Sequence, residues 1–168
     1  MPIRTPPILT MTDAFSVRGL NVVVTGGNRG IGFGICAAYA QCGANVAVLC
    51  RDRAKGDAAA EKLRSYGTVC VAAACDVASD ESVRAAAGEV FGAFPHVDVL
   101  VNNAGISTVS EFLRDRDLKG WHEVINTNLN GPARMLYAIV PRMIEAGRGG
   151  SVINISSIGG QALGGART

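Results

Sequence analysis

A glycine-rich turn is the part of this sequence best suited to hold an anion. Residues 21–34 read NVVVTGGNRGIGFG, a short valine run that enters glycines and then an alanine-, isoleucine- and cysteine-rich stretch to about residue 42. The valine run is typical of a buried strand, and the stretch from Arg29 onward predicts a helix. Because glycines admit close approach and the first helical turn has free N–H groups, the turn predicts a phosphate site. An ordinary βα turn rich in glycine is the alternative.

Polar residues follow three later apolar runs in the same way. Asp76 comes just after residues 68–74, residues 102–105 (NNAG) end the run at 97–101, and Ser157 closely follows the run that begins at residue 151. In parallel α/β sheets ligands bind beyond the carboxyl ends of the strands, where these side chains would meet. The alternatives are a helix-entry role for Asp76 and a plain strand-end turn for the asparagines.

The elements that must position these residues alternate along the chain. Strands are predicted at residues 22–24, 45–50, 68–74, 97–101 and 151–155, and helices at 29–42, 54–66, 79–94 and 118–144. Ser79 is the predicted N-cap of the third helix, with acidic residues in its first turn. This alternation predicts an α/β fold with a doubly wound parallel sheet of Rossmann type over residues 18–168. Residues 1–17, which include three prolines, are interpreted as a flexible N-terminal arm.

Composition bounds the function further. The 168 residues are 48% hydrophobic and 18% charged, with a net charge of +2, which fits a globular domain and offers no basic field for nucleic acid. No apolar run is long enough to cross a membrane, and no secretory signal is visible. The five cysteines lack metal-ligand spacing, so no metal site is predicted. We interpret them as small core residues of a protein in a reducing compartment, the cytoplasm.

Taken together, these segments resemble the classical short-chain dehydrogenase/reductases. Residues 25–32 (TGGNRGIG) are similar to that family's TGxxxGxG turn, and residues 102–105 are similar to its NNAG segment. Asp76-Val77, Asn128-Leu129 and the INISS stretch that ends at Ser157 are similar to three further family motifs in the same order. The resemblance covers about residues 17–160 and implies reversible hydride transfer between a nicotinamide cofactor and an alcohol or carbonyl substrate.

The resemblance also implies roles for individual residues. Thr25, Gly26, Asn28, Arg29, Gly30, Ile31 and Gly32 would form the pyrophosphate turn, Asp76 and Val77 would contact the adenine, and Asn102, Asn103, Ala104 and Gly105 would lie along the ribose and nicotinamide. Ser157 would polarise the substrate carbonyl, and Asn128 would hold a water in the proton relay.

Cofactor preference is a question of charge at the end of the second strand. Aligned with the family, Cys50 stands where an NAD-binding protein has an aspartate, and Arg51 follows it. Arg29 and Arg51 suit the dianionic 2′-phosphate of NADP, which guanidinium groups can bind with paired hydrogen bonds. Asp52 leaves NAD open, because a shift of two positions would let its carboxylate reach the ribose.

One part of the family pattern is absent from these 168 residues. The family's acid/base is a tyrosine four residues before a lysine, but the positions four after Tyr39, Tyr66 and Tyr137 hold Gly, Cys and Pro. The sequence therefore predicts a chain that is truncated before this motif, with a sheet incomplete at its C-terminal side and no activity of its own. We expect an exposed fifth strand and uncovered residues such as Leu136 and Ile139 on the long helix.

Two interpretations follow from this pattern. In the first, the chain is part of an NADP-dependent oxidoreductase that acts on a small alcohol or carbonyl compound and forms a homo-oligomer at full length. In the second, it is a non-catalytic module that binds dinucleotide or dimerises through its long helix. The identity of the substrate cannot be read from these residues, and a short isoform or degenerate relative remains an alternative to truncation.

Overall fold

The computed structural model describes residues 15–107 and 117–157, in which strands and helices alternate. The strands are β1 (Asn21–Thr25), β2 (Asn45–Cys50), β3 (Cys70–Ala74), β4 (Val99–Asn102) and β5 (Ser151–Asn154). The helices are α1 (Gly30–Gln41), α2 (Arg53–Arg64), α3 (Asp80–Ala93), α4 (Lys119–Ile125) and α5 (Gly131–Glu145), and a π-helical segment, Asn126–Asn130, joins α4 to α5. Most of the predicted arm, residues 1–14, lies outside the described residues.

The described strands form one parallel sheet in the order β3-β2-β1-β4-β5. The chain builds outward from β1 to β3 and then crosses to the other side of β1 for β4 and β5. This order confirms the predicted doubly wound sheet. The winding direction reverses between β1 and β4, and at such a switch point a crevice opens beyond the carboxyl ends of the strands.

Helices cover both faces of the sheet. On one face, Val22 and Val24 of β1 pack with Cys36 of α1 and Leu63 of α2. On the other face, the core contains residues of β1 and β4 together with α3 and α5, among them Val23, Leu100, Val83, Met135 and Ile139. Every residue of β1 is buried, as expected for a central strand covered on both sides.

The long helix departs from its prediction. The sequence predicts one helix over residues 118–144, but the π-helical segment Asn126–Asn130 interrupts the regular pattern. Such a segment inserts a wider turn, and it occurs often at functional sites. Its position here places Asn126 and Asn128 opposite the ends of β3 and β4, where both make side-chain bonds to backbone.

The edge of the sheet at β5 is exposed, as expected, but the long helix is better covered than predicted. All four residues of β5 are exposed. The expectation that Ile139 would lose its cover is wrong, because Ile139 is fully buried in the cluster formed with α3, and Leu136 is partly buried against it. The exposed apolar residues of α5 lie elsewhere, at Tyr137 (85% exposed) and Ile144 (73% exposed).

Candidate functional site

A cleft of about 940 Å³ opens at the carboxyl edge of the sheet, across the switch point. It is lined by most of the residues predicted to bind a cofactor: Gly26, Asn28, Arg29, Gly30, Ile31, Gly32, Arg51, Asp76, Asn103, Ala104 and Gly105. These residues come from four separate stretches of the chain. The parallel sheet brings them together because all its strands end at this edge.

The glycine turn is shaped by backbone that other residues would not tolerate. Gly26 and Gly30 have φ angles of +65° and +55°, in the left-handed region that favours glycine. A Cβ on Gly32 would overlap the carbonyl oxygen of Gly26, whereas a Cβ on Gly30 would meet nothing within 4 Å. The turn is thus closely packed at Gly32 and open at Gly30, which leaves room for a ligand against the backbone.

The start of α1 is free to bind an anion. Its N-cap residue, Arg29, makes no side-chain capping bond, and no acidic residue lies in the first turn. Helices usually satisfy these N–H groups with a capping side chain and favour negative charge there. The exposed Ile31 also faces the cleft from this turn. The arrangement suits a phosphate or diphosphate group.

Side-chain hydrogen bonds tie the ends of β1 and β4 together beneath the cleft. The Thr25 hydroxyl accepts hydrogen bonds from the backbone N–H groups of Asn103 and Ala104, both at 3.0 Å. The Asn103 amide donates to the carbonyl of Thr25 at 3.0 Å and that of Gly26 at 3.4 Å. Thr25 does not line the cleft. Its direct contact with a cofactor stays a prediction, and its observed role is to hold the two strand ends in register.

Cations collect at the cleft wall between α1 and α2. Arg29 and Arg51 are exposed, and neither forms an ion pair within residues 15–107 and 117–157. Lys55, in the first turn of α2, lines the same wall. Lys55 is not among the residues that the sequence predicts for the site, although its position four residues after Arg51 could have indicated it.

The segment after β3 combines a site residue with a helix entry. Asp76 lines the cleft, and its carboxylate accepts a bond from Ala78 N–H at 3.0 Å. Ser79 caps α3 by accepting from Ser82 N–H, as predicted. Val77 does not line the cleft, because its side chain is buried against Gly131. Its contact with adenine stays a prediction, and Ala78 forms the adjacent part of the cleft wall.

The Asn128 side chain forms hydrogen bonds with the segment that follows β4. Its side-chain oxygen accepts from Ile106 N–H at 2.9 Å, and its amide donates to Ile106 C=O at 2.8 Å. Asn126 donates to Ala78 C=O in a similar way. The π-helical segment therefore joins two sides of the cleft. A water-holding role for Asn128 stays a prediction, since both polar atoms of its side chain already bond Ile106.

Ser157 lies three residues beyond β5, which pairs in register with β4 up to Asn102 and Asn154. It therefore follows the same carboxyl edge as the cleft residues, but it does not line the cleft. Its catalytic role stays a prediction. The cleft mouth near α4 is formed by residues that sequence reasoning missed, Glu123, Asn126 and Thr127, which carried no signal beyond their place on a predicted helix.

Burial disfavours the thiolate form of the two cysteines that line the cleft, Cys50 and Cys75. Burial raises the pKa of the Cys75 thiol to about 12, and the neighbouring Asp76 carboxylate adds to the rise. Burial also raises the pKa of Cys50, which donates to the Asp52 carbonyl at 3.1 Å. Both thiols stay protonated at neutral pH. All five cysteines are free. Four are buried, which agrees with their interpretation as core residues, but Cys42 is exposed and departs from it.

The described residues contain no group of His, Cys, Asp or Glu side chains able to hold a metal ion. Among the helices at residues 15–107 and 117–157, none has the length and apolar character needed to cross a bilayer.

The sequence is similar to a family of known proteins. A family model described as short chain dehydrogenase matches residues 20–167. The chain is 38% identical to an uncharacterized oxidoreductase of Mycobacterium tuberculosis, over 89% of this chain and 56% of the relative. It is 39% identical to the 3-oxoacyl-[acyl-carrier-protein] reductase FabG of Chlamydia muridarum, over 82% of this chain and 55% of the relative. The chain thus spans about half the length of the curated relatives it matches.

A solved structure supports the fold. The crystal structure of a metagenomic short-chain oxidoreductase in complex with NADP superposes with a TM-score of 0.80 at 36% identity, covering 88% of this chain and 66% of that one. The relatives, the family model and the sheet order agree with each other.

Proposed function

This chain belongs to the short-chain dehydrogenase family, and from that premise we propose that its cleft binds NADP(H) for an alcohol/carbonyl oxidoreductase. The observation that carries the proposal is the uncapped start of α1, which opens into a glycine-lined cleft beside Arg29 and Arg51. The backbone of residues 26–32 would hold the diphosphate, and Asp76 the adenine. The nicotinamide, when bound, supplies or accepts the hydride.

The fit to a dinucleotide rests on space and charge. Nothing lies within 4 Å of a Cβ built on Gly30, while Gly32 is closely packed, so the turn leaves an open groove at one point along its backbone. The cation-rich wall continues this groove toward α2. A 2′-phosphate needs such cations, whereas a bare 2′-hydroxyl is usually held by a carboxylate at this position. The charge at this wall supports NADP over NAD.

We propose that these 168 residues bind the cofactor but do not reduce a carbonyl on their own. They contain no Tyr-x-x-x-Lys, and neither Ser157 nor Asn128 can supply the proton that such a tyrosine transfers in the family. Titration of the purified chain with NADPH, followed by nicotinamide fluorescence, is expected to give saturable binding. NADPH oxidation with a panel of small ketones is expected to stay at the buffer rate.

The outcomes of these two assays separate the alternatives. Binding without turnover supports the proposal. Ketone-dependent NADPH oxidation would contradict the claim of inactivity, and absence of any binding would contradict the assigned site.

For the full-length protein we propose a homo-oligomer that uses the outer face of α5. Tyr137 and Ile144 are seven residues apart, so they lie on one side of the helix, and both are largely exposed. Exposed apolar area of this kind favours a protein contact. Sedimentation analysis of the wild type and of Tyr137→Glu tests this; an oligomer that the substitution leaves intact would contradict the assigned face.

We further propose a cytoplasmic location. The support is chemical: all five cysteines are free thiols, and four of them are buried in the core. Thiols of this kind are typical of a reducing compartment. Fractionation of cells that express a tagged chain would test it, and recovery in an extracytoplasmic fraction would contradict it.

A further inference from the structure

The end of the cleft at α2 contains a carboxylate whose position would favour NAD over NADP. Asp52 lies two residues beyond β2 and lines the cleft beside Arg51. A free carboxylate here would accept a hydrogen bond from a ribose 2′-hydroxyl and repel a 2′-phosphate. An unpaired carboxylate at this position would oppose the preference for a 2′-phosphate that the surrounding cations favour. A partner that pairs the Asp52 carboxylate would remove this conflict.

Lys55 contacts both oxygens of this carboxylate, one through its backbone N–H and the other through its ammonium group. Oδ1 of Asp52 accepts from the backbone N–H of Lys55 at 3.1 Å, which caps α2, and Oδ2 lies 3.0 Å from Lys55 Nζ. These two bonds lower the pKa of Asp52, the side-chain bond having the larger effect. Asp52 is therefore held as a helix cap with its charge paired.

Lys55 also stands where two cavities meet. A smaller cavity of about 310 Å³ adjoins the cleft, and Asn28, Arg29 and Lys55 line both. No carboxylate lines the smaller cavity. Its junction with the cleft, formed by Asn28, Arg29 and Lys55, is therefore cationic, and it lies beside the one carboxylate that Lys55 pairs.

We propose that Lys55 determines cofactor preference, adding a third cation at the 2′-phosphate end of the cleft and holding Asp52 away from the ribose. The inference rests on the proposed function, because it concerns the same cleft. It makes Lys55 a specificity-determining residue, and it explains how a chain with an aspartate after β2 can still prefer NADP.

The test compares Lys55→Met with Lys62→Met by fluorescence titration of NADPH and NADH. Lys62 lies two turns further along the same face of α2, about 10 Å away, and does not line the main cleft. Lys55→Met is expected to weaken NADPH binding about tenfold, the size of one charge-assisted hydrogen bond, and to leave NADH binding unchanged or tighter. Lys62→Met is expected to change either affinity less than about twofold.

Two further variants separate charge from structure. Lys55→Arg keeps the cation and is expected to retain NADPH preference. Asp52→Asn keeps a good N-cap without the charge, so in the Lys55→Met background it is expected to recover part of the lost NADPH affinity. Thermal melting of each variant checks that the fold is retained.

The results distinguish this inference from the function on which it rests. Wild-type chain that binds neither dinucleotide refutes the proposed function. If the wild-type chain binds NADPH and Lys55→Met binds it equally well, the role of Lys55 is overturned and the proposed function is not. The same conclusion follows if Lys62→Met loses as much NADPH affinity as Lys55→Met. An equal loss of NADPH and NADH in Lys55→Met would also overturn it, because a specificity residue must change their ratio.

Discussion

At the scale of single residues, the Thr25 hydroxyl joins the two strand ends between which the cleft opens. It accepts from two backbone N–H groups beyond β4 and lies within 3.5 Å of the Val101 carbonyl. Because Thr25 is buried and its two donors are partly buried, water would replace these bonds poorly if the hydroxyl were lost. The shape of the cleft therefore depends on a residue that does not line it.

Replacing Thr25 by valine should reveal this role. Thr25→Val keeps the shape but leaves two partly buried donors without their partner, so we expect a loss of about 2–4 kcal/mol in the free energy of unfolding. Urea denaturation measures it. Thr25→Ser keeps the hydroxyl and should lose no more than about 1 kcal/mol; equal losses in the two variants would contradict the hydrogen-bond account.

The glycine turn gives a second prediction, with a control in the same helix. A Cβ on Gly32 would overlap the Gly26 carbonyl, whereas one on Gly34 would meet nothing within 4 Å. Gly32→Ala should therefore weaken NADPH binding at least about tenfold by displacing the turn, a loss of about 1.4 kcal/mol. Gly34→Ala should bind normally and be as stable or more so, because alanine favours a helix by up to about 1 kcal/mol.

The buried thiol of Cys36 makes the stability of the fold depend on pH. It is fully buried, and desolvation raises the pKa of its thiol to about 12 from an ordinary value of 9.0. The unfolded chain ionises first as pH rises, so the contribution of this thiol to stability is complete below pH 9 and declines between about pH 9 and 12. Over that range the thiol lowers the free energy of unfolding by about 1.4 kcal/mol per pH unit. We expect Cys36→Ala to abolish this part of the pH dependence. Denaturation at pH 8 and pH 10 under reducing conditions measures it, and identical pH dependence in both proteins would contradict it.

At the scale of elements, the π-helical segment between α4 and α5 links the strand ends. Asn126 and Asn128 bond backbone groups of Ala78 and Ile106, and Arg134 of α5 donates to the Asn126 carbonyl at 3.2 Å. The sequence predicts a helix here but not its widened turn. The wider turn depends on partners from distant parts of the chain, which local patterns do not contain.

The strand β5 gives a prediction about association. Val152, Ile153 and Ile155 are each more than a third exposed at β5, the edge strand of the sheet formed by residues 15–107 and 117–157, and exposed apolar edges pair with other chains. Ile153→Lys should raise the concentration at which the 168-residue chain stays monomeric. Light scattering over a concentration series measures it. Thr127→Lys adds the same charge away from this edge and should not help; equal improvement would point to net charge as the cause.

At the scale of the whole molecule, the alternation of strands and helices was enough to predict the fold. Parallel strands joined by helices allow few topologies, because crossovers are right-handed, and the observed order is among them. Strand and helix ends differ from prediction by one or two residues, as at β3, which begins at Cys70 and not Thr68. Most predicted cofactor residues line one cleft, since strand ends share an edge.

Other features could not be predicted, for physical reasons. Ile139 is buried because α3 packs against α5, a contact between segments far apart in sequence. Val77 turns into the core and Lys55 pairs with Asp52, and both depend on side-chain directions that a sequence pattern leaves open. The sequence thus predicted which strand ends border the cleft, while packing decided which side chains face it.

The central claim is that backbone amides between Gly26 and Gly32 hold the diphosphate of a dinucleotide. Amide chemical shifts of the isotope-labelled 168-residue chain, recorded by NMR during titration with NADPH, test it directly. We predict saturable shifts that are largest at Gly30, Ile31 and Gly32, with smaller ones at Arg51 and Asp76. Saturable shifts confined to other regions, with the glycine turn unchanged, would contradict the claim.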